Sequence, residues 1–132
     1  MMTEFIIEVI EDVVIIRVQL ERATLSNAGN FKDRVIELIQ AGRREIIIDC
    51  RNVLFMDSTF LGALVVSLKK INSLDGDLKI VLKDKESPIW IMFEATRLLN
   101  VFKTFFSISF KNKINSLYSG GVFLISLSIK FF

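Results

Sequence analysis

The chain has 132 residues, of which 52% are hydrophobic and 24% charged, with a single proline. This length and composition predict one globular domain and exclude disordered, collagen-like and proline-rich linker proteins. The chain has no histidine and one cysteine, Cys50. Imidazole-based catalysis, an internal disulfide and a cysteine-rich zinc site are therefore excluded. No basic residue precedes the first apolar run, unlike in a signal peptide, and the predicted location is cytoplasmic.

The net charge of +2 conceals an uneven distribution of acidic and basic residues. All 15 acidic residues lie at or before Glu94, so the first 94 residues, with 12 basic residues, sum to 12 − 15 = −3. The last 38 residues hold five basic residues and no acidic one, which gives +5. We therefore predict a domain over residues 1–106 and an atypical basic, apolar tail over residues 107–132.

The first half of the chain alternates between strand and helix patterns. Two β-branched runs, 5–10 and 13–20, predict an antiparallel hairpin that turns at Glu11-Asp12. Capping side chains at 25–27 precede an amphipathic helix that runs from Ala28 and stops at Gly42. The continuous apolar run within 45–49 is typical of a strand covered on both faces.

The second half continues the alternation. Residues 58–72 predict a helix that is apolar nearly all round, and residues 78–82 predict a strand. Ser87 and Pro88 are suited to be the cap and first residue of another helix, and 101–106 predicts a short edge strand. The order indicates an α/β fold with a mostly parallel central sheet, an N-terminal antiparallel hairpin and helices packed on the sheet.

Asp57 and Ser58 fall where the second predicted helix begins. One interpretation is that Ser58 is simply a helix cap, since Ser and Asp lead the preferences at that position, and physics alone favours it. The other is a modification site, because a phosphate on the hydroxyl would meet the first backbone N–H groups and the positive end of the helix dipole. Phosphorylation would add roughly −1.5 to −2 charges beside Asp57.

The run Asp-Ser-Thr-Phe-Leu-Gly at 57–62 follows a buried Ile-Ile-Ile-Asp strand and the connector 52–56. In this context it resembles the STAS family, the bacterial anti-sigma factor antagonists. The resemblance covers roughly residues 4–106. It includes the two-stranded start, the helix start at 26–28, the strand at 76–80 and the segment 93–102.

The resemblance implies a binding protein and not an enzyme. Ser58 would be phosphorylated by a partner that is both an anti-sigma factor and a serine kinase, and a serine phosphatase would reverse the reaction. The unphosphorylated form would bind the partner and release a sigma factor. The implied docking residues are Asp57, Ser58, Thr59 and Phe60. No catalytic residue, metal, cofactor, nucleic-acid partner or direct membrane association is expected, and any nucleotide belongs to the partner because the chain has no glycine-rich phosphate loop.

Two departures from the family pattern affect this prediction. Phe60 stands where the family usually has glycine, and it is either core, which we favour, or an exposed anchor for a partner. A frequent family Asp before the first helix falls on Thr24, which weakens the transfer of partner contacts in that loop. Thr59 offers a second hydroxyl but is the poorer acceptor. Cys50 is expected to be an inert packed thiol, and Trp90 and Phe93 are expected in the core.

The tail lacks the acidic final helix usual in the family. Three interpretations stay open: an added edge strand or hairpin, a membrane-surface or partner-binding segment, and a shifted reading frame. Its uncharged stretch, 114–129, is shorter than the roughly 20 residues of a membrane-spanning helix. If residues 122–125 were exposed, they would need to be covered, for example by a second copy of the chain in a homodimer. The alternative function is a STAS-like subunit of a membrane (lipid transport) complex, with Ser58 only a helix cap.

Overall fold

A computed structural model describes residues 3–83, 86–96, 103–105 and 123–128. Residues 97–102 of the segment 93–102 and most of the tail lie outside these residues. Within the described residues, eight strands and three helices follow one another. They are β1 (Phe5–Ile10), β2 (Val13–Val18), β3 (Arg22–Ala23), α1 (Leu25–Gln40), β4 (Glu45–Asp49), β5 (Phe55–Met56), α2 (Ser58–Asn72), β6 (Asp77–Leu82), α3 (Pro88–Ala95), β7 (Lys103–Phe105) and β8 (Phe123–Ser128).

Six of the strands form one sheet in the order β1-β2-β4-β6-β8-β7. The central strands β2, β4 and β6 are parallel, as expected for strands connected through the helices α1 and α2. β1 pairs antiparallel with β2 in a hairpin whose turn residue Glu11 has a positive φ of 54°. The predicted α/β fold, with a parallel centre and an N-terminal antiparallel hairpin, is confirmed.

At its other side the sheet is completed by antiparallel strands. β8 pairs with β6, with Ile125 opposite Ile80, and β7 pairs with β8 in turn. β7 therefore lies at the edge of the sheet, where the sequence predicted a strand, but it is separated from β6 by a strand that comes from the tail. Whether residues 1–106 form a domain without the tail stays a prediction.

The parallel strands β2, β4 and β6 form one side of the hydrophobic core. Ile16, Ile48 and Ile80 lie side by side on neighbouring strands and are fully buried. Buried residues from all three helices join them in one cluster, among them Phe31 of α1 and Phe60 of α2. Burying a side chain of this size stabilises the fold by about 1.5–3 kcal/mol, so this layer holds α1 and α2 in fixed positions on the sheet.

The ends of the helices follow from local capping. Thr24 caps α1, accepting a hydrogen bond from the Ser26 N–H in a capping box completed by Asn27. The sequence placed the capping side chains within 25–27 and the helix start at Ala28, so α1 begins three residues earlier than predicted, at Leu25. Gly42, with φ +88°, follows the end of α1, and Ser87 caps α3 ahead of Pro88 as predicted.

Candidate functional site

The first turns of α1 and α2 are joined by one carboxylate. Oδ1 of Asp57 accepts a hydrogen bond of 2.8 Å from the Phe60 N–H, and Oδ2 accepts one of 2.8 Å from the Leu25 N–H. The backbone of Asp57 is held by β5 beside β3, and its N–H donates to the Ala23 carbonyl at 3.1 Å. Asp57 therefore fixes the two helix starts against each other.

Asp57, and not Ser58, is the N-cap of α2. The cap role that one interpretation gave to Ser58 is wrong, because the N–H groups at the helix start are occupied by the neighbouring carboxylate. The hydrogen bond from the Phe60 N–H is the main cause that holds the pKa of Asp57 below its usual value. Desolvation acts in the opposite direction, and the Leu25 and Thr59 N–H groups add smaller lowering contributions. The site therefore carries a fixed negative charge at neutral pH.

Ser58 is the first residue of α2, and its side chain is exposed. Its hydroxyl makes no hydrogen bond to any residue that the structure describes. Thr59, the next residue, is exposed as well. The hydroxyl of Ser58 is thus open to an approaching enzyme, without a structural bond that modification would have to break.

Phe60 belongs to the core. Its ring is 0% exposed and packs 5.1 Å, centroid to centroid, from the ring of Phe31, which lies 5.8 Å from that of Phe5. The preferred prediction is confirmed, and the alternative of an exposed partner anchor is wrong. Phe60 is therefore removed from the predicted docking residues, because its ring has no free surface to offer a partner.

Three large apolar side chains lie exposed around Asp57 and were missed in the sequence. Leu25 is 70% exposed, Leu54 57% and Phe55 42%, and the Arg22 guanidinium carbon lies 4.3 Å above the centre of the Phe55 ring. The available signal was an apolar pair inside a short connector, where polar residues are usual. We define the Ser58 surface as Leu25, Leu54, Phe55, Asp57, Ser58 and Thr59.

Asp49, the acidic residue at the end of β4, has a structural role. Its buried carboxylate receives two hydrogen bonds of 3.0 Å from the Arg51 guanidinium, and Arg17 lies 3.7 Å away. Burial, and then the charge of Asp49, raise the pKa of the neighbouring Cys50 thiol. A buried thiol of this kind is a poor nucleophile, in agreement with the predicted inert role.

Neither a metal-binding cluster nor a membrane-spanning helix is found in the described part of the chain. No group of three or more acidic or cysteine side chains there is arranged to hold a metal ion. None of the three described helices has the length and apolar character needed to cross a membrane.

Solved structures of similar fold include proteins described as anti-sigma factor antagonists. TM1081 of Thermotoga maritima, described as a candidate antagonist of this kind, is 26% identical with a TM-score of 0.66, over 83% of this chain and 92% of its own. SpoIIAA matches in its unphosphorylated form (21% identity, TM-score 0.50, over 56% of this chain and 68% of its own). The phosphorylated form of the Bacillus protein also matches (20% identity, TM-score 0.55, over 71% and 84%). At these identities SpoIIAA supports the fold alone.

Comparison with curated proteins finds no match. The model of the STAS domain family matches residues 4–110, from the start of the hairpin to beyond β7. This match covers most of the chain, including α1 and α2, whose first turns meet at the Ser58 surface. The chain belongs to the STAS domain family.

Proposed function

We propose that this protein is an anti-sigma factor antagonist that binds an anti-sigma factor through the Ser58 surface and so releases a sigma factor. The observation that carries the proposal is the exposed Ser58 hydroxyl, which has no capping role and stands beside three exposed apolar side chains. Exposed apolar side chains around a polar group are typical of a protein-binding surface. The likeness to TM1081 in sequence and fold supports the same role.

Phosphorylation of Ser58 is the proposed control. The sequence suggested that the helix N–H groups would hold the phosphate, but Asp57 already accepts the Phe60 N–H. A phosphate on Ser58 therefore adds roughly −1.5 to −2 charges beside an existing carboxylate and remains turned to the surface. Burying two adjacent anions against a partner costs more desolvation than the contacts return, so the modified form dissociates.

The proposal assigns the chemistry to the partners. The anti-sigma factor is also the serine kinase and brings the ATP, and a serine phosphatase restores the free hydroxyl. The chain itself is a binding protein and not an enzyme, and it acts in the cytoplasm, where sigma factors are bound and released.

In the alternative, a STAS-like subunit of a membrane lipid-transport complex, Ser58 would be only a helix cap. Asp57 is the cap of α2, so Ser58 does not have the role that this alternative gave it. We keep the interaction switch as the proposed function, and the tail's part in any membrane complex stays a prediction from the sequence.

The phosphorylation site can be tested directly. Wild-type protein, Ser58→Ala and Thr59→Ala are each incubated with ATP and an anti-sigma factor kinase from the source organism, then analysed by intact mass and peptide mapping. We expect one phosphate on the wild type and on Thr59→Ala, and none on Ser58→Ala. Equal phosphorylation of Ser58→Ala would show that the site is elsewhere.

The docking surface is tested by binding of the same kinase, measured by calorimetry without ATP hydrolysis. Phe55→Ala removes an apolar contact at the centre of the surface and is expected to weaken binding about tenfold or more, equivalent to about 1.4 kcal/mol. Ser58→Glu is expected to weaken it as well. Val9→Ala, an equally exposed site on β1, is the control and should change affinity less than about twofold. Equal effects of Phe55→Ala and Val9→Ala would contradict this surface.

A further inference from the structure

A second exposed apolar surface lies between α1 and α2, away from Ser58. Its floor is formed by the buried side chains of Val35 and Ile39 on α1. Ile36 on α1 and Val66 on α2 line it and remain 40% and 54% exposed. We call this surface the α1/α2 groove. Half-exposed aliphatic side chains on two neighbouring helices form an apolar strip. Exposing such a strip to water is unfavourable in free energy.

Two lysines flank the apolar strip. Lys32 of α1 and Lys70 of α2 both line the groove and are exposed. Among the described residues, no carboxylate lies within 4.0 Å of either ammonium group. Arg34 on another side of α1, by contrast, pairs with Glu37 at 2.8 Å. The groove therefore combines an apolar centre with positive charge that the fold does not neutralise.

The groove is separate from the Ser58 surface. Val66 lies eight residues after Ser58 on the same helix, which is about 12 Å at 1.5 Å per residue. The first turns of both helices meet at the Asp57 carboxylate, and the groove residues come from later turns. A ligand in the groove therefore does not need to cover the phosphorylation site.

We propose that the α1/α2 groove binds an acidic amphipathic helix from a second protein partner. A helix fits between two packed helices when it presents apolar residues at i and i+4, which here would meet Ile36 and Val66. Acidic residues on the flanks of that stripe would meet Lys32 and Lys70, so the charges are complementary. Membrane-surface binding is the weaker match, because it typically needs clusters of four to eight basic residues and the groove is lined by two.

The probe for this proposal is a pair of fluorescein-labelled synthetic helices. Both carry leucines at i and i+4 positions; one has glutamates on the flanks of the leucine stripe and the other has lysines. Binding to the full chain is measured by fluorescence anisotropy at 50 and 300 mM NaCl. We expect saturable binding of the glutamate helix, at least fivefold weaker binding of the lysine helix, and weaker binding of the glutamate helix at the higher salt concentration.

Charge-reversed variants locate the site. The double variant Lys32→Glu, Lys70→Glu is expected to bind the glutamate helix at least tenfold more weakly and to bind the lysine helix more tightly than the wild type does. Lys83→Glu, an exposed lysine that does not line the groove, is the control and should leave the affinity within twofold. Ser58→Glu should also leave it unchanged, so the result is independent of the proposed antagonist function. Circular dichroism verifies that every variant is folded.

Three outcomes would overturn the proposal. One is equal binding of the two helices, or no effect of the double reversal. Another is binding of the wild type to anionic phosphatidylglycerol vesicles, lost in the double variant, with no binding of the glutamate helix. The third is a dimer in sedimentation analysis that the double variant abolishes, which would make a second copy of the chain the occupant.

Discussion

At the scale of single residues, the neighbours Asp57 and Ser58 have separate roles at the start of α2. The carboxylate satisfies backbone donors of two helices, and the hydroxyl is left exposed, with no hydrogen bond to a described residue. A modifiable residue that carried the cap would change stability when modified. Here the two roles are on different side chains, so the state of Ser58 can change while Asp57 continues to hold both helices.

The charge of Asp57 should be visible in the pH dependence of stability. Its pKa is lowered in the folded protein, so its contribution is fully present above the unfolded value of about 3.9 and is lost as pH falls through the folded value. We expect Asp57→Asn to lower Tm by about 3–5 °C at pH 7, and the difference from wild type to shrink below about pH 4. Thermal unfolding by circular dichroism from pH 7 to 3 measures this. A difference that persists unchanged at pH 3 would contradict the role of the charge.

Cys50 gives a second prediction at this scale. Burial beside the Asp49 carboxylate raises the pKa of the thiol, so almost no thiolate is present at pH 8. We expect no reaction of native protein with a disulfide reagent such as DTNB, and one reacting thiol per chain in denaturant. Rapid reaction of the native protein would show that the strand end around Cys50 opens.

The sequence was sufficient to find the Asp-Ser pair but not to assign its roles. Both residue types are good N-caps, and the choice between them depends on which one has extended backbone angles, as Asp57 does at φ −84° and ψ 172°. The bond from Asp57 to the Leu25 N–H joins residues 32 positions apart. No local pattern contains that contact, because it exists only once β3 and β5 are paired.

At the scale of elements, α2 shows how an apolar helix is positioned by one ring. Phe60 fills the space between α2 and α1 against Phe31. We expect Phe60→Ala to reduce the free energy of unfolding by about 3–5 kcal/mol through the cavity it leaves. Ile91→Ala on the exposed side of α3 is the control, expected within about 0.5 kcal/mol. Urea unfolding measures both, and a loss below about 1 kcal/mol for Phe60→Ala would contradict its core position.

Elements with a clear apolar pattern were predicted more closely than those without one. The bounds of α2 and β4 match the apolar runs in the sequence, whereas α1 begins three residues before the predicted Ala28. β3 and β5 contain two residues each and pair with each other in a separate two-stranded sheet. Two residues carry no periodicity, so the strand pair that positions Asp57 could not be predicted.

At the scale of the whole molecule, β8 connects the tail to the sheet. Five residue pairs join β8 to β6, and their backbone hydrogen bonds, at about 1 kcal/mol each, approach the total stability of a small domain. We expect a chain that ends after residue 106 to be largely unfolded or aggregated, and a chain that ends after residue 128 to keep its stability. Thermal unfolding and size-exclusion chromatography measure both. A stable monomer of residues 1–106 would confirm the predicted domain boundary and contradict the importance of β8.

The distribution of charge separates the chain into two compositions, but it does not predict how the two parts combine in the sheet. The order of strands in a sheet depends on pairing between distant segments, and an apolar strand such as 123–128 can pair with any free edge. The position of β8 between β6 and β7 therefore had no local signal. The family resemblance did not reach that part of the chain.

The same arrangement has a consequence for synthesis on the ribosome. β7 emerges before β8, yet β8 is its neighbour in the sheet and its connection to β6. Until residue 128 has left the exit tunnel, the open edge of β6 has no described strand to pair with, and chains on adjacent ribosomes could pair through it. Stalling translation before and after this residue, with protease resistance as the measure, would show whether the nascent sheet closes only at that late point.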